Sequence, residues 1–580
     1  MLSRNRLILP AVLSSLAIMA ACGSGSGSSK PPVNSPSSGF SNTNLSGSYV
    51  FSTTGYDSSS NFLTIMGVFS ADGKGNVTGG AIDENRTLPS GGTKGNDVRQ
   101  ANITAGTYNV ASDGRPTGTS NSPDGLITLQ TDTAGTFQFN YVLTSGRHGL
   151  IIEFETFGSG SGTLDLQSAV TQADLNGQSY AFNLTGTSGF DNVFCGRLRP
   201  GFSALVSYAT IGAFALDSSG NIASGLEDFN NNCVSSGPTG VPVTGGGIAL
   251  GQYGFGTAAI TTGMDPTAIT YNFDVFPIDA THLKFVQTDS YTAGPISVLV
   301  GEAFTQQSTS SIPAGNNVFT MAGFDNSIFE PFTAAGIFHT DASGTILPDS
   351  VEDMHEVDAQ HSNSISLEAS FSGSSTPLSG GRAELTLNGF INGNQNGTLC
   401  SGCLFAVYPS TGGLQMLEID NLGSTDGIAY PQTATTLPSG QGFGMNLSGV
   451  AFGVSSENTQ DDIAQFTNSN GNFTGTIDSN GQGTLSFSNS LSAQYSADTS
   501  VPGRGTVAAV TNTVDLTTYV VDSSTAVAVS TDPTFVGLGT LVQQNSSASS
   551  SVLANHLAVM HVQSSARPNS TRKESPTRPK

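Results

Sequence analysis

Gly67-Val-Phe69-Ser-Ala-Asp72-Gly-Lys-Gly75-Asn-Val77 returns as Gly212-Ala-Phe214-Ala-Leu-Asp217-Ser-Ser-Gly220-Asn-Ile222 and again as Gly336-Ile-Phe338-His-Thr-Asp341-Ala-Ser-Gly344-Thr-Ile346. In each copy alternating apolar residues lead into an Asp and a Gly three positions later. These supply an Asx turn and a residue free to take positive φ, so each stretch predicts a tight β-hairpin. A fourth, worn copy surrounds Phe466, Ser469 and Gly471 and is one residue shorter.

The repetition extends outward from this hairpin. An apolar strand precedes it, at Leu45 to Phe51, Leu175 to Phe182, Asn317 to Met321 and Leu447 to Phe452. Asp-x-Asn or Asp-x-His follows it, at Asp83/Asn85, Asp228/Asn230, Asp353/His355 and Asp478/Asn480. Next comes strict alternation, as in Phe137-Gln-Phe139-Asn-Tyr141 or Ile269-Thr-Tyr271-Asn-Phe273, the period of a half-buried strand. A later strand ends in an acid, Glu155, Asp289, Asp420 or Asp532, and a closing Gly-x-x-x-x-Gln ends at Gln167, Gln306, Gln432 or Gln544.

Four copies in one order predict an all-β chain of four tandem antiparallel domains, at 45–168, 175–307, 314–432 and 445–544. The first copy reads as about eight short-looped strands. An up-and-down barrel suits that count because closure removes the exposed edges of an open sheet, and a β-sandwich is the alternative. In size and hairpin order each copy resembles a lipocalin- or avidin-type barrel, in architecture alone.

Ahead of the repeats, Arg4 and Arg6 precede an apolar stretch from Leu7 to Ala20 that is short for a bilayer span. Residues 1–21 therefore read as a signal peptide. Met19-Ala20-Ala21-Cys22 resembles the lipobox of bacterial lipoproteins, which implies lipid attachment at Cys22 and export to the cell envelope. Gly23, where an acid would signal retention, implies the outer membrane. Residues 22–44 are rich in Gly, Ser and Pro and form an expected flexible tether, holding the body roughly 25 Å from the lipid. The whole is similar to repeat-bearing lipoproteins of soil bacteria, a likeness that implies no particular activity. Residues 545–580 read as a disordered Ser-rich and basic tail.

The chain has 71 Gly, 33 Phe, no Trp, 11% charged residues and a net charge of −24. This composition suits a β-rich exported protein. The acidic surface disfavours nucleic acid as a partner and leaves a glycan, a small molecule or another envelope protein.

Cys195, Cys233, Cys400 and Cys403 are disulfide candidates in an oxidising compartment. The CxxC lacks the strand-to-helix setting of a redox motif, and no second CxxC completes a zinc site, so a local staple is expected. Following the strands up and down pairs Asp83 with Glu155, Asp228 with Asp289, Asp353 with Asp420 and Asp478 with Asp532 at one mouth of each barrel. Such pairs are candidates for holding calcium or for acid and base work on a glycan. The plainer reading, that each acid caps a turn, is favoured because calcium wants six or more oxygens. No cofactor or catalytic residue is otherwise indicated. His355-Glu356 has its next histidine at His361, the wrong spacing for a zinc helix.

Gly114-Arg115, Gly381-Arg382 and Gly503-Arg504 occupy equivalent turns, and Arg382 and Arg504 are the only Lys or Arg between residues 312 and 545. A cation kept in one column implies a fixed carboxylate partner. The strand count puts that partner in the turn of the same repeat, at Asp72 or Asp341. Taken together, the sequence favours a non-enzymatic envelope lipoprotein whose repeats bind a ligand, over a glycan hydrolase or a purely structural spacer.

Overall fold

The computed structural model describes residues 39–88, 96–118, 124–188, 206–231, 235–251, 254–263, 268–289, 297–325, 331–357, 363–391, 399–420, 423–452 and 457–547. The signal peptide, Cys22, most of the tether, Cys195, Cys233, His361 and nearly all of the tail lie outside these residues.

The fold is all-β. Four closed barrels, each of eight antiparallel strands, follow one another along the chain, and in every barrel the strands neighbour one another in sequence order with the eighth closing on the first. The barrels span residues 46–166, 179–305, 315–431 and 441–543. The opening strand of the fourth, Gln441–Phe452, begins before the apolar run that marked it in sequence.

The hairpins form as their residues dictate. Asp72 accepts the amides of Lys74 and Asn76 at 2.7 and 3.0 Å, and Asp217 and Asp341 accept the corresponding pairs at 2.7 to 3.0 Å. Gly75, Gly220 and Gly344 take φ of 106°, 86° and 87°. In the fourth copy Asn470 and Gly471 both have positive φ between paired Ser469 and Asn472. That is a two-residue Asn-Gly hairpin, which explains the missing residue.

The recurring Gly-x-Phe also has a packing reason. Phe51, Phe182 and Phe319 of the first strands lie opposite Gly67, Gly212 and Gly336 of the second. A Cβ on these glycines would come within 2.9, 2.5 and 2.6 Å of the facing ring. In the fourth barrel the pair becomes Met445 opposite Ala464, the smaller partner growing as the larger one slims. The aromatic side chains fill the interiors. Tyr49, Phe51, Phe69, Phe137, Phe139 and Tyr141 are all buried in one core cluster of the first barrel, with Phe51 and Phe139 centred 5.3 Å apart. Phe319, Phe371, Phe390 and Phe405 do the same in the third. Each fully buried ring of this size is worth about 1.5–3 kcal/mol relative to exposure.

The third strand departs from the sequence reading, because it does not end at its acid. It runs Asn76–Thr87 in the first barrel and Ile222–Asn230, Thr345–Val357 and Asn472–Gly481 in the others. Asp83, Asp228, Asp353 and Asp478 therefore lie within strands, two to four residues short of their ends.

The closing glycines seal each barrel. A Cβ at Gly162, Gly301, Gly427 or Gly539 would fall inside the van der Waals envelope of the carbonyl oxygen of Ser52, Asn183, Thr320 or Asn446 on the first strand. Gly427→Val is expected to cost about 2–4 kcal/mol in urea unfolding. Gly39→Ala, with nothing within 4 Å of the added methyl, is expected to leave the transition unchanged.

Candidate functional site

In an extended strand positions i and i+2 share a face, so the Asp and the Asn of each Asp-x-Asn point the same way. The core residues beside them, Ile82, Phe229, Met354 and Ile477, take the inward parity, and the motif therefore points outward. Outside each third strand stands another barrel.

The first two strands of the first barrel pack Val50, Tyr56, Phe62, Met66 and Val68 against Phe276, Ile278, Val286, Val298 and Val300 on strands six to eight of the second. Barrels two and three repeat the arrangement through Ala181, Ile211, Tyr408 and Leu417, and barrels three and four through Val318, Ile337, Tyr519 and Val529. Ile463 and Phe487 of the fourth barrel pack on Val142, Leu150, Ile152 and Phe154 of the first. The same faces meet head to tail four times, and the series closes.

Polar clasps run through these seams. Arg382 of the third barrel donates from Nε and Nη2 to both oxygens of Asp228 in the second, at 2.7 and 3.0 Å, and the Tyr408 hydroxyl adds a third hydrogen bond at 2.7 Å. Arg504 of the fourth barrel takes Asp353 of the third with the same two distances, joined by Tyr519. Arg115 of the first barrel reaches back to Asp478 of the fourth at 2.6 Å, where Asn140 donates at 2.9 Å. Arg382 is 1% exposed and Asp228 0%. These are desolvated, mostly bidentate pairs.

The rest of the motif serves the same seams. Asn85 donates to Gln287 O, Asn230 to Glu418 O and Gly423 O, and Asn480 to Glu153 O and Gly158 O, each in the following barrel. The closing glutamines reach onward too. Gln167 donates to Gly254 O and Pro277 O, Gln306 to Gly380 O, Gln432 to Val520 O, and Gln544 to Asp113 O and Leu143 O. Just beyond the glutamines, Ser168, Gln307, Thr433 and Asn545 donate backbone amides to Ile278, Pro409, Val521 and Thr144. The fourth barrel thus docks on the first in the way its predecessors dock on their successors.

Two expectations change. The arginine column has carboxylate partners, but they are Asp478, Asp228 and Asp353 of neighbouring barrels; Asp72 and Asp341 accept their own turn amides instead. Hydrogen bonds from Asn76 hold the Asp72 carboxyl down at about 2. The intra-barrel acid pairs are not what these hydrogen bonds build either. Glu155, Asp289 and Asp420 accept the amides of Gln138, Asn272 and Leu404 at the head of the sixth strand, and Asp532 accepts the amide and hydroxyl of Thr534 in its own turn. The Asp-x-Asn acids meanwhile face the seams, because their strands continue past them. Cys400 and Cys403 form a disulfide in the third barrel. Among the described residues no group of three or more His, Cys, Asp or Glu is placed to hold a metal.

The seam between barrels one and two is built differently. Gly254-Phe255-Gly256 stands where the fourth barrel has Gly503-Arg504-Gly505, and Phe255 stacks on Phe276 at 5.5 Å, as Arg504 neighbours Tyr519. Asp83 faces Asp274 across this seam, and burial, with the Asp274 carboxylate next, holds the Asp83 carboxyl well above the usual carboxylate range. The cation of this seam is Lys284, which is fully buried. Its Nζ lies 3.0 Å from Ser52 Oγ and 3.3 Å from both Asp165 of the first barrel and Glu302 of its own, and His148 and His282 flank the two acids at 2.7 and 3.0 Å. Sequence reasoning missed Lys284; the signal was a lone cation in the apolar alternation His282-Leu-Lys-Phe-Val-Gln287.

No protein-family model matches the chain, and no curated protein sequence matches it either. Among solved structures it is similar to a double mutant of Transferrin Binding Protein B from Haemophilus parasuis Hp5, with 9% identity over 70% of this chain and 85% of that one and a TM-score of 0.17. Intact Ap-TbpB, with its N and C lobes, gives 9% identity, 68% and 83% coverage and a TM-score of 0.18.

Arg382→Ala and Arg504→Ala each leave a carboxylate buried without its cation, and each is expected to lower unfolding free energy by about 3–5 kcal/mol in urea melts. Arg504→Lys should recover only part of the loss, since an ammonium cannot match the two-point geometry.

A pH dependence arises from buried acids, Asp426 and Asp461 in the seams and Asp462 on the inward face of the fourth barrel. Burial pushes Asp426 and Asp461 up to about 7 and Asp462 to about 6. Folded values raised above the unfolded value give stability that is complete below about pH 4 and lost as pH rises through 6 to 7. The calorimetric midpoint is expected to be higher at pH 5 than at pH 8; a midpoint that climbs with pH over this window would contradict the assignment.

Proposed function

We propose that the chain is a non-enzymatic lipoprotein of the cell envelope, in which four filled barrels clasped into a closed series form a stiff body for binding or surface interaction. One observation carries the reading. The barrel interiors are packed with aromatic side chains, and the repeated polar columns are taken up by contacts between barrels or by amides of their own barrel. A ligand is then met by the outer surface and loops, and a glycan, a small molecule or another envelope protein are the candidate classes. Four related domains on one tether favour weak contacts made several at a time.

The lipobox-like Met19 to Cys22 supports anchoring at Cys22 and an outer-membrane address. The hydrolase alternative rested on paired carboxylates at a barrel mouth, and Asp353 and Asp420 have separate partners. A spacer role is the second reading, favoured by the clasps themselves.

Metabolic labelling with palmitate is expected to mark the wild-type chain and not Cys22→Ser. Purified chain is expected to show saturable binding to an envelope glycan fraction or an envelope protein, without turnover of chromogenic glycosides. Glycoside turnover that disappears in Asp353→Asn or Asp420→Asn would overturn the non-enzymatic reading, and inertness in both assays would favour the spacer.

A further inference from the structure

We infer that the seam between the first and second barrels holds a hard divalent cation of the calcium class between the carboxylates of Asp83 and Asp274, where the other three seams hold an arginine guanidinium. The four seams are copies of one design, so each can be compared with the rest. In three of them the outward Asp of the third strand meets a cation: Asp228 with Arg382, Asp353 with Arg504, Asp478 with Arg115. In the remaining one Phe255 replaces the arginine, and the position opposite the acid is a second acid.

The residues left behind are those of a cation site and not of a clasp. Asp83 is 4% exposed, and its Oδ2 is buried with no hydrogen-bond partner. Asp274 is 7% exposed and stands within hydrogen-bonding reach of Asp83. Among the described residues no Lys, Arg or His forms an ion pair with either carboxylate. Lys284, the cation of this seam, is held by Asp165 and Glu302. A carboxylate oxygen removed from water and left without a partner is costly, and a second carboxylate beside it adds repulsion. A divalent ion cancels both charges.

The side chain of Gln100 adds a third donor. Its amide lies 2.5 Å from Asp274 Oδ2 and it is exposed, so it opens the site to solvent on one side. Turned about its last bond, the same amide offers an oxygen beside those of the two carboxylates. Water supplies the remaining ligands. Two carboxylates set by rigid strands suit calcium, which tolerates irregular geometry, better than magnesium, which demands a near-octahedral shell. So few protein oxygens place the affinity in the class of roughly 10⁻⁴–10⁻³ M.

The test is calcium chloride titrated into the detergent-solubilised full chain after EDTA treatment, at pH 7.5, read by calorimetry and by thermal unfolding. One calcium per chain and a rise of several degrees in the midpoint are expected, with a smaller rise from magnesium. The response should vanish in Asp83→Asn and in Asp274→Asn, and persist in Asp72→Asn, whose acid lies in an exposed turn. Phe255→Arg keeps both carboxylates and restores the guanidinium, so it should fold and lose the calcium response even if the acid variants fold poorly. A wild-type chain with no heat and no shift, its two acids held together by a shared proton alone, overturns the proposal. So does a calcium response that survives in Asp83→Asn, Asp274→Asn or Phe255→Arg.

Discussion

A carboxylate that points outward from the middle of a strand, with another protein surface where water would be, needs a positive partner. That constraint organises this molecule. Asp228, Asp353 and Asp478 meet it with arginines from the neighbouring barrel, and the bidentate geometry at the first two fixes orientation as well as charge. A buried pair of this kind is weak evidence for net stability, since an apolar replacement of similar volume often does as well. Its value is registry. The apolar faces around it, Val318 and Ile337 against Tyr519 and Val529 for instance, would tolerate a slip, whereas a two-point clasp accepts one alignment.

The clasp depends on backbone that the sequence repeats faithfully. The outward Asp has its place because the third strand runs on for two to four residues, which lets the following Asn or His share its face. The arginine comes from the turn before the fifth strand, one barrel along, and the closing glutamine of the barrel before it holds that turn at Gly380 and Asp113 and the neighbouring strand end at Val520. Asp-x-Asn, Gly-Arg and Gly-x-x-x-x-Gln are thus parts of one joint, distributed over two repeats. Where the arginine is lost, in the second barrel, Phe255 and Phe276 keep the apolar part of the joint, and Lys284 on another strand ties Asp165 and Glu302 across the same seam without reaching Asp83.

Much of the architecture was legible from residues. Hairpin turns at Asp72, Asp217 and Asp341, eight strands per repeat and closure into barrels follow from local turn chemistry and period-two alternation, which depend only on neighbours in the chain. The need of Arg382 and Arg504 for a fixed partner was legible too. The identity of that partner was not, because a strand assumed to stop at Asp83 leaves its acid at a mouth, and no local pattern reveals a barrel standing alongside. A subtler signal was present. Tyr49-Val50-Phe51 and Ile65-Met66-Gly67-Val68-Phe69 are apolar at both parities, the mark of strands buried on two faces. One face is the barrel core and the other is the seam.

That two-sided burial also explains the ends of the series. Linear repeat arrays protect their terminal units with polar caps, and their stability is a sum of nearest-neighbour terms that can fray from either end. Among the described residues the first and fourth barrels carry no such caps. Leu126, Leu150, Ile152 and Phe154 on one and Ile463 and Phe487 on the other are as apolar as the inner seams, and they bury each other. Arg115, Gln544 and Asn545 close the joint across more than 350 residues of chain. Once the series is closed every barrel has two neighbours, so opening any one of them exposes two seams. With no end at which unfolding can begin cheaply, four domains that could melt one by one are bound to a shared transition, and a seam weakened anywhere is felt by all four.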